Sequence, residues 1–167
     1  MEAVGYDMYV KLLNEAVLEE QGEAPAPRVE CGVDIRCDAY LSKSYIPAAP
    51  QRMEMYRKIA RIEEYEDYED ILDELCDRFG EPPKAVMGLI DIALLRNRAA
   101  AIGIYEINED KNGVILRVNA VCEQQLDRLN SFGKRMYLSA DEKPYYFIKA
   151  KQGQKFTELI SEIATIL

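Results

Sequence analysis

Apolar residues recur along this chain with two different periods. Tyr9, Leu12, Leu13, Ala16 and Val17 stand at i, i+3, i+4, i+7 and i+8, which predicts an amphipathic helix ending near Gly22. Pro25 and Pro27 mark an extended connector. Val29, Cys31, Val33, Ile35 and Cys37 then alternate with Arg28, Glu30, Gly32, Asp34 and Arg36. Period two over ten residues predicts one long strand with a wet face. Residues 39–49 read as a loop. Pro50 suits the first turn of a second helix, whose stripe is Met53, Tyr56, Ile59 and Ala60. A third helix follows an acidic lead-in and turns Ile71, Leu72, Leu75 and Phe79 inward. Gly80 stops it, because glycine accepts a positive φ without strain. Pro82 and Pro83 open a fourth, with Val86, Leu89, Ile90, Ala93, Leu94, Asn97 and Ala101 on one face and Gly103 at its end.

Beyond Gly103 the pattern changes. Residues 104–108 and 114–118 are strand-prone and joined through Asn112-Gly113, the strongest short signal for a type I′ hairpin. A short helix with Cys122, Leu126 and Leu129 on one side comes next. A second hairpin over 135–139 and 145–150 follows, then a last helix carrying Phe156, Leu159, Ile160, Ile163 and Leu167. The expected fold is α+β: helices with one long strand, then a ββα-ββα half forming a small mixed or antiparallel sheet packed by helices. The expectation is one domain over 1–167, with a helix-rich sublobe 1–103 and a ββαββα sublobe 104–167.

Composition narrows the chemistry. The 167 residues include no histidine, so no Ser-His or Cys-His nucleophile pair and no histidine metal ligand can form. Cys31, Cys37, Cys76 and Cys122 contain no C-x-x-C and fit no zinc spacing; they read as small buried or half-buried side chains. No uncharged apolar stretch approaches the roughly 20 residues a bilayer needs. A reducing cytoplasm is the expected location. Phosphate-loop, dinucleotide and nucleophile-elbow motifs are absent. No cofactor, metal or catalytic residue is expected. Of the 11 tyrosines, Tyr9, Tyr56, Tyr145 and Tyr146 fall on apolar stripes or strands and read as packing rather than base-stacking platforms. Two other readings stay open. Arg96, Arg98, Arg128, Lys134 and Arg135 could gather into a nucleic-acid patch, and a pair of converging carboxylates could make a hydrolase.

The formal charge of -9 is unevenly distributed. Residues 61–81 hold 10 acids and 2 bases, whereas residues 82–167 hold 10 acids and 12 bases. Carboxylates near a helix N-terminus are favoured by the helix dipole, so a solvated acidic helix start is the plain explanation. A docking face for a basic partner is the sharper one. On the third helix, Glu74, Asp77 and Arg78 lie off the apolar stripe beside Gly80. Glu74 and Arg78 stand i, i+4 with the acid first, an exposed pairing of about 0.3–0.5 kcal/mol.

Val4-Gly5-Tyr6-Asp7-Met8-Tyr9 with Leu12-Leu13-Asn14-Glu15-Ala16-Val17, then Ala39-Tyr40-Leu41, Tyr45-Ile46, Arg52 and Tyr56-Arg57-Lys58-Ile59-Ala60, resemble the C-terminal domain of bacterial transcription-repair coupling factors (the TRCF, or Mfd, family). The most specific piece is Glu74-Leu75-Cys76-Asp77-Arg78-Phe79-Gly80-Glu81-Pro82-Pro83, which matches that family's E-L-x-D-R-F-G-x-x-P signature. Ser42 departs from it, standing where the family usually has proline. The motifs cover roughly residues 4–103. The resemblance implies an excised C-terminal module, with Met1 marking where the piece starts, of a protein whose other domains form an ATP-dependent DNA translocase and engage DNA and stalled RNA polymerase. It implies a non-catalytic, autoinhibitory role in transcription-coupled nucleotide excision repair. The module would pack in cis on an N-terminal UvrB-like module and mask its surface for UvrA, the damage sensor. It further implies a monomeric, non-membrane domain whose docking residues are Glu74, Asp77 and Arg78.

Overall fold

The structure, a computed structural model, describes residues 31–167. The helix expected over residues 9–17 and the first residues of the strand expected over 28–37 lie outside the described residues. The fold is α+β, with five α-helices and a five-stranded mixed sheet among the described residues. The chain forms two compact units. Among the described residues, one contains residues 38–94, and the other residues 31–37 and 95–167.

In the first unit, α1 (Ala49–Ala60) begins with a proline in its first turn, as Pro50 predicts. It buries Met55, Ile59 and Ala60, while Met53 and Tyr56 are only half-buried. The Tyr56 hydroxyl oxygen accepts a hydrogen bond from the Leu41 amide at 2.8 Å. Helix α2 (Tyr65–Phe79) follows. One Asp67 carboxylate oxygen accepts from the amides of Glu63 and Glu64, both at 2.9 Å. The acidic run therefore satisfies donors that a helix start leaves unpaired. Ile71 and Leu75 face inward, and Gly80 ends the helix at φ 84° and ψ -172°. That positive φ is as expected, but the ψ is extended rather than left-handed helical, a region open to glycine alone. Helix α3 (Lys84–Ala101) contributes its residues through Leu94 to this unit. Its middle is buried on more sides than one stripe predicts: Ile92 is as buried as Leu89 and Ala93, while Ala101 is exposed.

The second unit is built on the sheet, in the order β1-β2-β3-β5-β4. Strand β1 (Gly32–Asp34) is far shorter than the alternation predicts and pairs parallel to β2 (Ile104–Asp110). Strands β3 (Gly113–Val118), β4 (Met136–Ser139) and β5 (Tyr145–Lys149) pair antiparallel. Ile104 and Ile107 are both fully buried although three positions apart, because a bulge between Ile104 and Glu106 shifts the side-chain parity. Val114, Leu116, Val118, Tyr146 and Ile148 extend the buried face. Helices α4 (Glu123–Leu129) and α5 (Phe156–Ile166) follow the two hairpins, giving the expected ββα-ββα order.

The four cysteines differ from expectation. Cys31 is buried and Cys37 half-buried, but Cys76 and Cys122 are exposed. Cys122 precedes α4 rather than sharing its apolar face, and its amide donates to Gln125 Oε1 at 3.1 Å.

An ion-pair hub ties the turn before β4 and the segment after β5 to α5. Glu162 accepts from Arg135 Nη2 at 2.5 Å, Lys151 Nζ at 3.0 Å and Gln154 Nε2 at 2.8 Å. Burial pushes its carboxyl upward, but the Arg135, Gln154 and Lys151 donors outweigh burial and hold it at about 2, below its ordinary 4.5. A depressed carboxyl contributes stability that is present above pH 4.5 and lost as pH falls toward 2. The whole shift corresponds to roughly 3 kcal/mol, and solvent screening of a partly exposed hub reduces it to about 1–2 kcal/mol. Urea melts at pH 7 and pH 2.5 should show Glu162→Gln losing that much less stability on acidification than the parent chain. Equal losses would remove Glu162 from the acid response.

Candidate functional site

The loop before α1 sets the end of the signature helix. The Ser42 hydroxyl accepts from the Tyr45 amide at 3.1 Å, and the Ser42 carbonyl accepts from the Ile46 amide at 3.0 Å. A side chain that caps its own turn thus stands at this departure from the family pattern. The turn aims Tyr45 at α2. Its hydroxyl lies 2.8 Å from the Gly80 carbonyl, just past the helix end, and 3.3 Å from the Leu75 carbonyl in the last turn, so it can donate to the terminus of α2. Its ring packs edge-on to Phe79, centroids 6.0 Å apart.

Of the three residues singled out by sequence, the structure brings two together and sets the third apart. Glu74 and Arg78 meet at 2.5 Å, Oε1 to Nη1. Both also reach α1. Lys58 Nζ donates to Glu74 Oε1 at 2.7 Å and Oε2 at 2.8 Å. Arg78 Nη1 lies 3.0 Å from Glu54 Oε1, and Nη2 lies 3.4 Å from Glu54 Oε2. Lys58 and Glu54 close the ring at 3.4 Å. The result is an alternating four-charge network across two helices, with side chains 27–44% exposed. Asp77 is exposed and makes no ion pair among the described residues.

The network shifts its members in the directions that pairing demands. Hydrogen bonds from Lys58 first, and from Arg78, hold the Glu74 carboxyl below its ordinary range against the effect of burial. Arg78 and then Lys58 lower Glu54, and the Glu74 contact raises Lys58. All four groups stay charged near neutrality. Arg78 also lies 5.0 Å above the Phe79 ring, a cation–π contact that fixes the guanidinium plane. Sequence alone indicated the Glu74–Arg78 pair by its spacing. The same i, i+4 spacing pairs Glu54 with Lys58 inside α1, but nothing in the spacing joins that pair to Glu74 and Arg78, which happens only through the packing of α1 on α2.

The basic set considered for nucleic acid is partly engaged elsewhere. Arg98 Nη1 donates to the Ala164 and Thr165 carbonyls, both at 3.1 Å, and so caps the C-terminal end of α5. Arg135 is held in the Glu162 hub. No group of three or more metal-ligating side chains was found among the described residues, and no helix there is long and apolar enough to cross a membrane.

These features define an α+β module that presents a charged helix end on a braced scaffold. The model of the TRCF domain family matches residues 35–129, and the chain belongs to that family. It is 26% identical over its full length to the transcription-repair-coupling factor of Bacillus subtilis (strain 168), covering 15% of that protein. It is 34% identical over 131 residues to the corresponding protein of Staphylococcus aureus (strain USA300), covering 76% of this chain and 11% of that protein. The chain therefore spans about a seventh or less of the length of these curated relatives. Its fold matches a crystal structure of the C-terminal domain of transcription-repair coupling factor, with a TM-score of 0.70 and 22% identity over 82% of this chain and 89% of that one.

Proposed function

We propose that this chain is the C-terminal regulatory module of a transcription-repair coupling factor. In this reading it packs in cis on the UvrB-like N-terminal module and masks the UvrA-binding surface until stalled RNA polymerase is engaged. It holds a closed state and performs no chemistry of its own, while the translocase and the contacts to DNA belong to other domains. The whole 167-residue chain acts as one module. The observation that carries the reading is the family signature helix, whose Arg78 and exposed Asp77 stand beside a fixed helix end. A partly exposed polar contact suits a latch, because a large apolar interface would make closure permanent. Charged pairs supply the register and the choice of partner.

The test replaces Glu74, Asp77 and Arg78 together by alanine in the full-length protein and titrates purified UvrA. Unmasking should strengthen UvrA binding roughly tenfold, about 1.4 kcal/mol. Because Glu74 and Arg78 also tie α2 to α1, Asp77→Lys alone is the cleaner variant, since it reverses a charge that braces nothing described. UvrA binding that stays weak in both folded variants removes these residues from the latch. Raised salt should likewise loosen the closed state of the parent protein.

A further inference from the structure

Arg78 already has a carboxylate on the edge that a partner would use. Its two terminal nitrogens face the two Glu54 oxygens at 3.0 Å and 3.4 Å, the side-on fork in which arginine grips a carboxylate. We infer that Glu54 is a competing carboxylate built into the latch, occupying Arg78 in the open state and so keeping the closed state releasable. This rests on the latch reading above and concerns its regulation.

Lys58 makes the exchange inexpensive. Its ammonium holds Glu74 at 2.7 Å and reaches Glu54 at 3.4 Å. When a partner carboxylate displaces Glu54 from Arg78, Glu54 and Glu74 both retain a cation. No charge is stranded, and stranding one is what makes breaking an ion pair costly. The side chains are exposed enough for water to follow each step, with Glu54 at 44% and Arg78 at 32%. Latch strength is then a difference between the affinities of Arg78 for its partner and for Glu54. An internal competitor lowers apparent affinity by reducing the available fraction of the binding state.

Two substitutions with opposite signs follow. Glu54→Gln keeps the shape, removes the competing charge and tightens the latch. Lys58→Gln leaves both carboxylates to Arg78 and loosens it. Each effect should be about two- to fivefold, the scale of a partly exposed pair. Both should vanish when Arg78 is alanine, since the competition acts only through that guanidinium.

The experiment titrates purified UvrA against full-length protein carrying each change, with thermal melts to check folding. The expected result is UvrA binding two- to fivefold weaker in Glu54→Gln, stronger in Lys58→Gln, and insensitive to either change in an Arg78→Ala background. Unchanged or stronger UvrA binding in Glu54→Gln overturns the inference. So does an effect that survives Arg78→Ala, because it would then be merely structural. The two levels fail differently. If Arg78→Ala itself leaves UvrA binding unaltered, Arg78 is no part of the latch and the competition falls with it. If Arg78→Ala unmasks UvrA binding while Glu54→Gln does not weaken it, only the competitor role is lost.

Discussion

Replacing Gly113 by alanine should destabilise the fold by about 3 kcal/mol or more, a large share of the roughly 5–15 kcal/mol that holds a typical domain together. The reason is a close backbone approach. A Cβ on Gly113 would stand 2.1 Å from the Ile148 carbonyl oxygen and 2.9 Å from its carbon. Neither is the end of a flexible side chain. Both belong to β5, which pairs with β3 on one side and β4 on the other, and Ile148 is fully buried. Relief would require β3 and β5 to separate, breaking ladder hydrogen bonds in the middle of the sheet. Gly153→Ala supplies the contrast. That residue has a φ of 77° and no neighbour within 4 Å, so its cost is conformational, about 1 kcal/mol. Urea unfolding of the two variants measures the difference. A Gly113→Ala loss below that of Gly153→Ala would mean the strands accommodate the methyl, and the close-approach argument would fail.

Gly113 also shows where sequence reading stops. Asn112-Gly113 predicts a hairpin, and the hairpin is present. The turn itself differs: Lys111 and Asn112 connect the strands, and neither they nor Gly113 has the positive φ that a type I′ turn requires. The glycine is used for its missing side chain rather than its backbone freedom, a demand set by β5, some 35 residues away in the chain. The same division holds elsewhere. Helix stripes are local, so Ile71, Leu75, Leu159 and Ile163 could be placed inside from spacing alone. The alternation over 28–37 is also local, but strand length depends on a partner, and β1 is paired only where Gly32–Asp34 meets Glu106–Asn108. At the candidate site the spacing of Glu74 and Arg78 gave their pairing. Glu54 and Lys58 share that spacing within α1, but their link to Glu74 and Arg78 depends on how two helices cross, which no single-helix pattern encodes.

The second large effect is expected at Gln125, a residue that composition and periodicity pass over. It is 2% exposed, the one buried polar residue among the described residues. Its amide is used at both ends. Nε2 donates to the Ile102 carbonyl at 2.8 Å, and Oε1 accepts from the Cys122 amide and the Tyr146 hydroxyl, each at 3.1 Å. One side chain thereby joins the end of α3, the start of α4 and the buried side of β5. The sequence did hold a trace of it, since Gln125 stands three residues after the residue preceding α4, the capping-box spacing. Gln125→Leu would fill the volume but leave a carbonyl, an amide and a hydroxyl without their partner. Unmade buried hydrogen bonds cost about 1–3 kcal/mol each, and partial relaxation should leave a total near 3 kcal/mol. Gln125→Glu should not rescue it, because a carboxylate would face the Ile102 carbonyl with no proton to offer and its charge would be buried. Tyr146→Phe provides the second edge of a double-mutant cycle. Alone it should cost about 1 kcal/mol, and in the Gln125→Leu background it should cost less or even stabilise, since the orphaned hydroxyl is removed. Strictly additive losses would show that the Tyr146–Gln125 contact contributes nothing. A Gln125→Leu loss under about 0.5 kcal/mol would show that water or rearrangement replaces all three bonds.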